Sequence, residues 1–158
     1  MHDQGLMPEK SLRDLSVEKF HRVFEANAII PALIAKYFLL KLNKENSSIF
    51  AALSARVGSI SHNQLGGWYA YRALKAALKM IIENAAIEVG RRNKQAIVVV
   101  LHSVTVNSDL SKQFQVNVAD GKLFTAEYPA KKILDVLKNL SPKQTGKYFA
   151  WDGQEILP

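Results

Sequence analysis

A tyrosine and a lysine four residues apart, Tyr71 and Lys75, have the residue types and the spacing that proton transfer requires. Residues four apart share one face of a helix, so we expect both side chains to lie together on its first turns. A lysine ammonium favours the ionised form of a nearby phenol. The pair could therefore move a proton to or from a carbonyl or alcohol oxygen. The alternative is an exposed tyrosine and lysine that share a face by chance.

The helix that must carry this pair is predicted from a glycine pair, two aromatic residues and an Ala-rich apolar run that stops at Gly90, over residues 68–90. A second long helix is predicted over about 17–42, with Ser16 as its N-cap. Pro31 interrupts it and has no N–H for the carbonyl four residues earlier. We therefore expect a bend that leaves the main-chain carbonyl of Asn27 free. The alternative is a kink without further meaning.

Three short apolar runs predict strands, at residues 48–55, 96–101 and 147–151. The first is nearly unbroken, as in a strand buried on both faces, and the second is β-branched throughout, hence central. An amphipathic helix is predicted over about 130–140, and Asp120-Gly121 predicts a turn. Helices and strands alternate along the chain. This order predicts an α/β fold with parallel strands joined by right-handed crossover helices.

The composition limits the class of protein. A chain of 158 residues with 48% hydrophobic residues is expected to form one folded domain. It has no cysteine, and its four histidines lack metal-ligand spacing, so we expect no metal site. The formal net charge of +7 permits nucleic-acid binding, but the basic residues are scattered and no nucleic-acid motif occurs; we interpret them as a solvated surface. Lysines break the longest apolar segments and no signal-peptide pattern is present. We therefore expect a cytoplasmic protein without a membrane span.

The predicted sheet is small for its type. Parallel sheets need both faces covered, and an open edge on three apolar strands invites association. No strand-to-helix turn of the form G-x-G-x-x-G occurs in the sequence. We therefore expect the C-terminal half of a doubly wound, Rossmann-type sheet that lacks its glycine-rich dinucleotide-binding half.

Four segments of the chain resemble the short-chain dehydrogenase/reductase family, nearest to its C-factor and sniffer-type carbonyl reductase branch. They are EKSLRDLSVEKFHRVFEANAIIPALIAKYF, SARVGSISHNQLGGWYAYRALKAAL, IVVVLHSVTVNSDLSKQF and GKYFAWDGQEI. A lone Y-x-x-x-K motif is weak evidence. The same motif in the GGWYAYR context, with these segments in this order, is strong evidence.

The resemblance implies roles for individual residues. Tyr71 would be the catalytic acid/base, Lys75 would lower its pKa and hold the nicotinamide ribose, and the Asn27 carbonyl would hold a water in the proton relay. Thr105 and Ser108 would contact the nicotinamide end of an NAD(P) cofactor. The family's usual catalytic serine aligns with Ala55, which leaves Ser54 and Ser59 as nearby hydroxyls that could replace it.

The resemblance also implies an activity, namely NAD(P)-dependent oxidation or reduction of a small-molecule carbonyl or secondary alcohol. Without the nucleotide-binding half, we expect this chain alone to bind NAD(P) poorly and to be weak or inactive. The alternatives are a non-catalytic remnant or a dimerising interaction module, with a C-factor-like signalling role as a further idea. In either case the resemblance implies a homodimer through the two long helices.

Overall fold

The computed structural model describes residues 7–108, 111–112, 115 and 123–158. The turn predicted at Asp120-Gly121 lies outside these residues. The first long helix begins with Ser16, whose hydroxyl accepts a hydrogen bond from the Lys19 N–H, as predicted. The helices and strands, in chain order, are α1 (Val17–Phe24), a π-helical turn (Glu25–Ile29), α2 (Ile30–Phe38), β1 (Ser48–Ser54), α3 (Tyr69–Gly90), β2 (Ala96–His102), α4 (Glu127–Lys138) and β3 (Tyr148–Ala150).

The three strands form one parallel sheet in the order β1-β2-β3, which confirms the predicted α/β class. The register pairs Ser54 of β1 with His102 of β2, and His102 with Ala150 of β3. The carboxyl ends of all three strands therefore lie at the same end of the sheet. In open parallel sheets ligands bind at this end.

Side chains of β2 alternate between two apolar layers, which is why the whole strand reads as apolar. Alternate β2 side chains face α2 and α3 on one side of the sheet, in a core that includes Leu39, Leu78 and Ile82. The others form a second core on the opposite side, with Phe149 and the apolar residues of α4. All β2 residues before His102 are buried, so its prediction as the central strand is confirmed.

The first strand differs from its prediction. Alternate residues of β1 are exposed, Leu53 by 62% and Ile49 by 38%, so the strand is not buried on both faces. The reason is that only one face of the strand is covered: Ala52 packs in the α2/α3 core, whereas Ile49 and Leu53 face the side of the sheet where the cluster under α4 contains no β1 residue. Among the described residues no strand pairs with the edge of β1 away from β2. The apolar sequence of β1 thus belongs to a strand with one uncovered edge.

The first long helix is continuous but changes its winding before Pro31. The π-helical turn precedes the proline, and the Ile30 N–H donates to the Glu25 carbonyl, five residues back. Pro31 has no N–H to give to the Asn27 carbonyl, and a π turn accommodates such a defect without ending the helix. Both the turn and the α-helices beside it pack against α3. Where the sequence predicts a bend before Pro31, the structure has a π turn.

The stretch Val17–Lys41 is long and apolar enough to cross a membrane, with 17% of its most apolar window buried. We had expected no such span. The core helix of a soluble protein passes the same test of length and composition, and this helix packs on α3. A cytoplasmic location remains a prediction.

Candidate active site

Tyr71 and Lys75 lie together in the first turns of α3, on the carboxyl side of the sheet. The Lys75 Nζ lies 5.5 Å from the centroid of the Tyr71 ring, over its face. Lys75 is 8% exposed and Tyr71 is half-buried. The shared face that their spacing predicts is therefore present, and both groups are largely shielded from water.

Burial governs the ionisation of both groups. It raises the pKa of the Tyr71 phenol above 10.0 and lowers the pKa of the Lys75 ammonium below 10.5. The sequence argument expected the lysine to lower the tyrosine pKa instead. The difference arises because desolvation disfavours both charged forms, and the ammonium lies over the ring face. In the chain itself Tyr71 is thus a protonated phenol rather than a phenolate at neutral pH.

Ser54 ends β1 immediately before Ala55, and its hydroxyl donates to the Lys75 carbonyl at 3.5 Å. Ser54 is 9% exposed. Gly58 lies against the same part of α3, because a Cβ at this position would come within 2.5 Å of the Lys75 Cβ. The segment after β1 is therefore packed tightly onto the helix that carries the pair.

Ser59 takes part in a different set of contacts. Its hydroxyl donates to the Leu157 carbonyl at 2.8 Å and lies 2.9 Å from the His62 Nδ1, and the residue is 1% exposed. The nearby Ser61 main-chain N–H and hydroxyl both donate to the Pro158 carbonyl. Ser59 thus anchors the last residues of the chain, and its burial argues against direct contact with a substrate.

The remaining predicted residues lie on other elements. Asn27 is half-buried on the π turn against α3, and its side-chain amide donates to the Val23 carbonyl at 3.1 Å. Thr105 follows β2, and its carbonyl accepts from the Phe124 N–H at 3.4 Å. Ser108 is exposed, and its main-chain N–H donates to the Ser111 hydroxyl at 3.2 Å. The structure groups Tyr71, Lys75 and Ser54 directly, whereas these three lie on other segments, and their part in the site remains a prediction.

Two further side chains near the pair escaped the sequence analysis. Tyr148 of β3 is 2% exposed, and its hydroxyl has no hydrogen-bond partner among the described residues. Burial raises its pKa, and the Ser54 side chain only partly offsets this. His102, at the carboxyl end of β2, has its pKa lowered from 6.5 to about 4, first by burial and then by Arg56. Its Nδ1 accepts the Arg56 N–H at 3.3 Å. The sequence signal for His102 was indirect: the apolar run of β2 predicts a strand that ends beside it.

Comparison with known proteins finds distant sequence relatives. No protein-family model matches the chain. The chain is 27% identical over 146 residues to C-signal of Myxococcus xanthus, covering 92% of this chain and 82% of that protein. It is 28% identical over 152 residues to 1-hydroxy-2-glutathionyl-2-methyl-3-butene dehydrogenase of Rhodococcus sp. strain AD45, covering 96% of this chain and 64% of that enzyme.

Solved structures share the fold. Carbonyl reductase Sniffer of D. melanogaster superposes with a TM-score of 0.82 at 20% identity, over 96% of this chain and 62% of that chain. The NADPH-bound carbonyl reductase from chicken fatty liver gives 0.80 at 23% identity, over 96% of this chain and 60% of that chain. The chain thus spans less than two thirds of the length of these reductases. In its fold, in its sequence relatives and in the Tyr71–Lys75 pair at the carboxyl side of the sheet, the chain is therefore similar to carbonyl reductases and dehydrogenases of the short-chain type.

Proposed function

We propose that the chain carries the catalytic half of an NAD(P)-dependent oxidoreductase that acts on a carbonyl or secondary alcohol. The observation that carries the proposal is the shielded Tyr71–Lys75 pair on the carboxyl side of the sheet, where parallel folds bind ligands. A protonated phenol held out of water can give its proton to a carbonyl oxygen as that oxygen gains charge. The dehydrogenase and carbonyl reductases that the chain resembles support this class of substrate.

The described residues fit one end of a nicotinamide cofactor. The Lys75 ammonium is a buried donor with a lowered pKa, as suits a group that hydrogen-bonds the hydroxyls of a ribose. When bound, the cofactor supplies or accepts the hydride. One structural neighbour is an NADPH-bound enzyme, which supports binding of this cofactor class.

The pyrophosphate end of the cofactor has no recognisable binding motif in this sequence. Pyrophosphate is usually held by a glycine-rich turn at a helix N-terminus, and no G-x-G-x-x-G motif occurs in the chain. We therefore propose that the chain alone binds NAD(P) poorly. Strands that hold the pyrophosphate would pair with the edge of β1 that no described strand covers.

Within this proposal each residue has a distinct task. Tyr71 gives the proton during reduction and takes it back during oxidation. Lys75 holds the ribose and, once the cofactor adds its own groups to the site, favours the phenolate. The Asn27 carbonyl, to which Pro31 offers no N–H, holds a relay water. Thr105 and Ser108 approach the nicotinamide. Ser54 and Ser59 hold the backbone around Ala55, through the contacts described above.

A second candidate function is a dimerising interaction module. Exposed apolar side chains recur along α2 at positions 30, 34, 37 and 38, which form one stripe of a helix. A second copy of the chain could cover this stripe, so we propose a homodimer through the long helices. This proposal is compatible with either an active or an inactive protein.

The test of the proposed function is reduction of a panel of aldehydes and ketones by the purified protein with NADPH and with NADH. We expect slow turnover that Tyr71→Phe abolishes while the circular dichroism spectrum stays unchanged. Turnover that survives in this variant would remove Tyr71 from the mechanism. If no panel member is turned over and no nicotinamide compound binds, the non-catalytic module is the better description.

A further inference from the structure

The chain enters α3 through residues in the left-handed backbone conformation, which residues other than glycine rarely adopt. Gly66, Gly67 and Trp68 have φ values of +63°, +64° and +51°, three consecutive residues in the left-handed region. Glycine adopts this conformation freely, but a bulky residue such as tryptophan rarely does. Strained backbone persists only where its surroundings over-determine it, and it collects at functional sites. Two side chains supply the surroundings here.

The first is Glu9, which lies 61 residues before its partner in the sequence and is 4% exposed. Its main-chain carbonyl accepts the Trp68 N–H at 2.6 Å, and its Oε2 accepts the Ala70 N–H at 3.2 Å. Trp68 offers no side-chain cap to α3. Glu9 therefore caps a 22-residue helix from a distant part of the chain, with its carboxylate at the positive end of the helix dipole.

The second is Arg72, next to Tyr71 in the sequence. Its Nε donates to the carbonyls of Gly66 at 3.2 Å and Gly67 at 3.1 Å, and its Nη1 donates to the Val57 carbonyl at 3.1 Å. The planar guanidinium can hold several acceptors in a fixed arrangement, which a lysine ammonium cannot. Arg72 thus ties the left-handed turn and the segment after β1 to the same helical turn.

These contacts end at the proposed catalytic phenol. Held in its left-handed conformation, Trp68 places its ring edge-on to the Tyr71 ring, with the centroids 6.2 Å apart at 71°. Edge-to-face packing of this kind fixes ring orientation. We propose that Glu9 and Arg72 are positioning residues, which hold the Gly66–Trp68 turn so that Trp68 sets the orientation of Tyr71. The catalytic meaning of this arrangement rests on the proposed function, but the positioning itself can be measured without it.

The test uses protein labelled with 3-fluorotyrosine, with the ¹⁹F resonance of Tyr71 identified by its loss in Tyr71→Phe. We expect Arg72→Lys and Glu9→Ala to shift or broaden the Tyr71 resonance while that of Tyr37, on α2, stays in place. Glu9→Gln keeps an acceptor for the Ala70 N–H and should stay close to the wild type. The exposed substitutions Arg91→Lys and Glu45→Ala are matched controls that should change nothing.

Trp68→Gly keeps the test decisive if Arg72→Lys or Glu9→Ala fails to fold. Glycine accepts the left-handed conformation, so this variant should fold, yet it should move the Tyr71 resonance because the ring contact is gone. An unchanged Tyr71 resonance in Trp68→Gly, or in a folded Arg72→Lys, would overturn the proposal. Where turnover is measurable, Arg72→Lys should lower kcat roughly ten- to a hundredfold with little change in KM, since only the orientation of the proton donor is lost. Absence of both turnover and nicotinamide binding would count against the proposed function and leave the resonance test intact.

Discussion

The Lys75 ammonium lies over the face of the Tyr71 ring, 5.5 Å from its centroid, and both groups are withdrawn from water. A buried ammonium pays a desolvation penalty, which its lowered pKa reports. Stability and proposed function are therefore opposed at this position. The lysine proposed to hold the ribose is therefore unfavourable for the stability of the fold.

This opposition predicts the behaviour of Lys75→Met. The substitution keeps the length of the side chain and removes the buried charge, so the free energy of unfolding at pH 7 should stay equal or rise by about 1 kcal/mol. Any reductase turnover should disappear. Urea denaturation measures the first effect, and Lys44→Met at an exposed loop position is the control. A clear loss of stability in Lys75→Met would show that the ammonium supports the fold.

His102 predicts a dependence of stability on acid pH. Its pKa is about 4 in the folded chain and 6.5 ordinarily, because burial and the Arg56 charge disfavour the protonated ring, against a smaller opposing effect of Asp152. The unfolded chain therefore binds the extra proton first. The stabilisation is fully present above pH 6.5 and is lost as the pH falls through about 4, an effect on the order of 3 kcal/mol.

Urea denaturation at pH 7.5 and pH 4.5 checks this expectation, with His102→Asn as the comparison. The asparagine oxygen can accept the Arg56 N–H that Nδ1 now accepts, but it does not titrate in this range. The variant should therefore lose less stability on acidification than the wild type. Equal losses in the two proteins would assign the acid sensitivity to other groups.

Two glycines predict opposite responses to alanine. At Gly58 a Cβ would meet the Lys75 Cβ at 2.5 Å and the Ala76 nitrogen at 2.9 Å, so Gly58→Ala must push the segment after β1 away from α3. We expect a loss of about 1–3 kcal/mol in the free energy of unfolding. At Gly90, the last residue of α3, a Cβ meets nothing within 4 Å, and Gly90→Ala should be neutral or slightly stabilising. Thermal denaturation of the two variants would contradict this argument if their order were reversed.

The proposed site contacts only the nicotinamide end of the cofactor, and this predicts how NADPH binds relative to a nicotinamide fragment. The residues proposed to contact the cofactor serve its nicotinamide end, so NADPH should bind this chain no more tightly than reduced nicotinamide mononucleotide. Fluorescence titration of both compounds measures this, with Lys75→Met as the variant expected to weaken both. Saturable micromolar binding of NADPH alone would mean that this chain does hold the pyrophosphate.

The exposed stripe on α2 predicts the effect of one charge on association. If a second copy covers the stripe, Ile34→Glu, at a side chain that is 45% exposed, should convert a dimer to a monomer. Sedimentation velocity or light scattering after size exclusion measures the mass. Lys44→Glu, on an exposed loop away from the stripe, should leave the mass unchanged. A wild-type monomer at all accessible concentrations would contradict the proposed homodimer.

Local pattern was sufficient to predict most of the fold. The apolar run of β2, the N-cap at Ser16 and the stop at Gly90 have local causes, and the structure has them where the sequence places them. The strand character of β1 was equally visible. Its half-exposed state was not, because burial depends on which neighbours a strand finds rather than on its own residues.

The candidate site was predictable in part for the same reason. The spacing of Tyr71 and Lys75 implies a shared face, which the structure has, but the balance between charge attraction and desolvation depends on depth of burial. Glu9 carries no local signal at all, since its partners lie some sixty residues away. Helical spacing alone could not show that the Arg72 guanidinium turns back onto the preceding glycines.

The edge of β1 that no strand covers in the described part of the chain has a practical consequence for production of this protein. Seven residues of main chain, with Leu53 and Ile49 beside them, form a template onto which another strand can be laid. Because an exposed strand of this kind favours pairing between copies, strong overexpression should send the chain into inclusion bodies. Co-production of a polypeptide that fits the template should bring it back into the supernatant, which makes yield of soluble material a simple screen for that polypeptide.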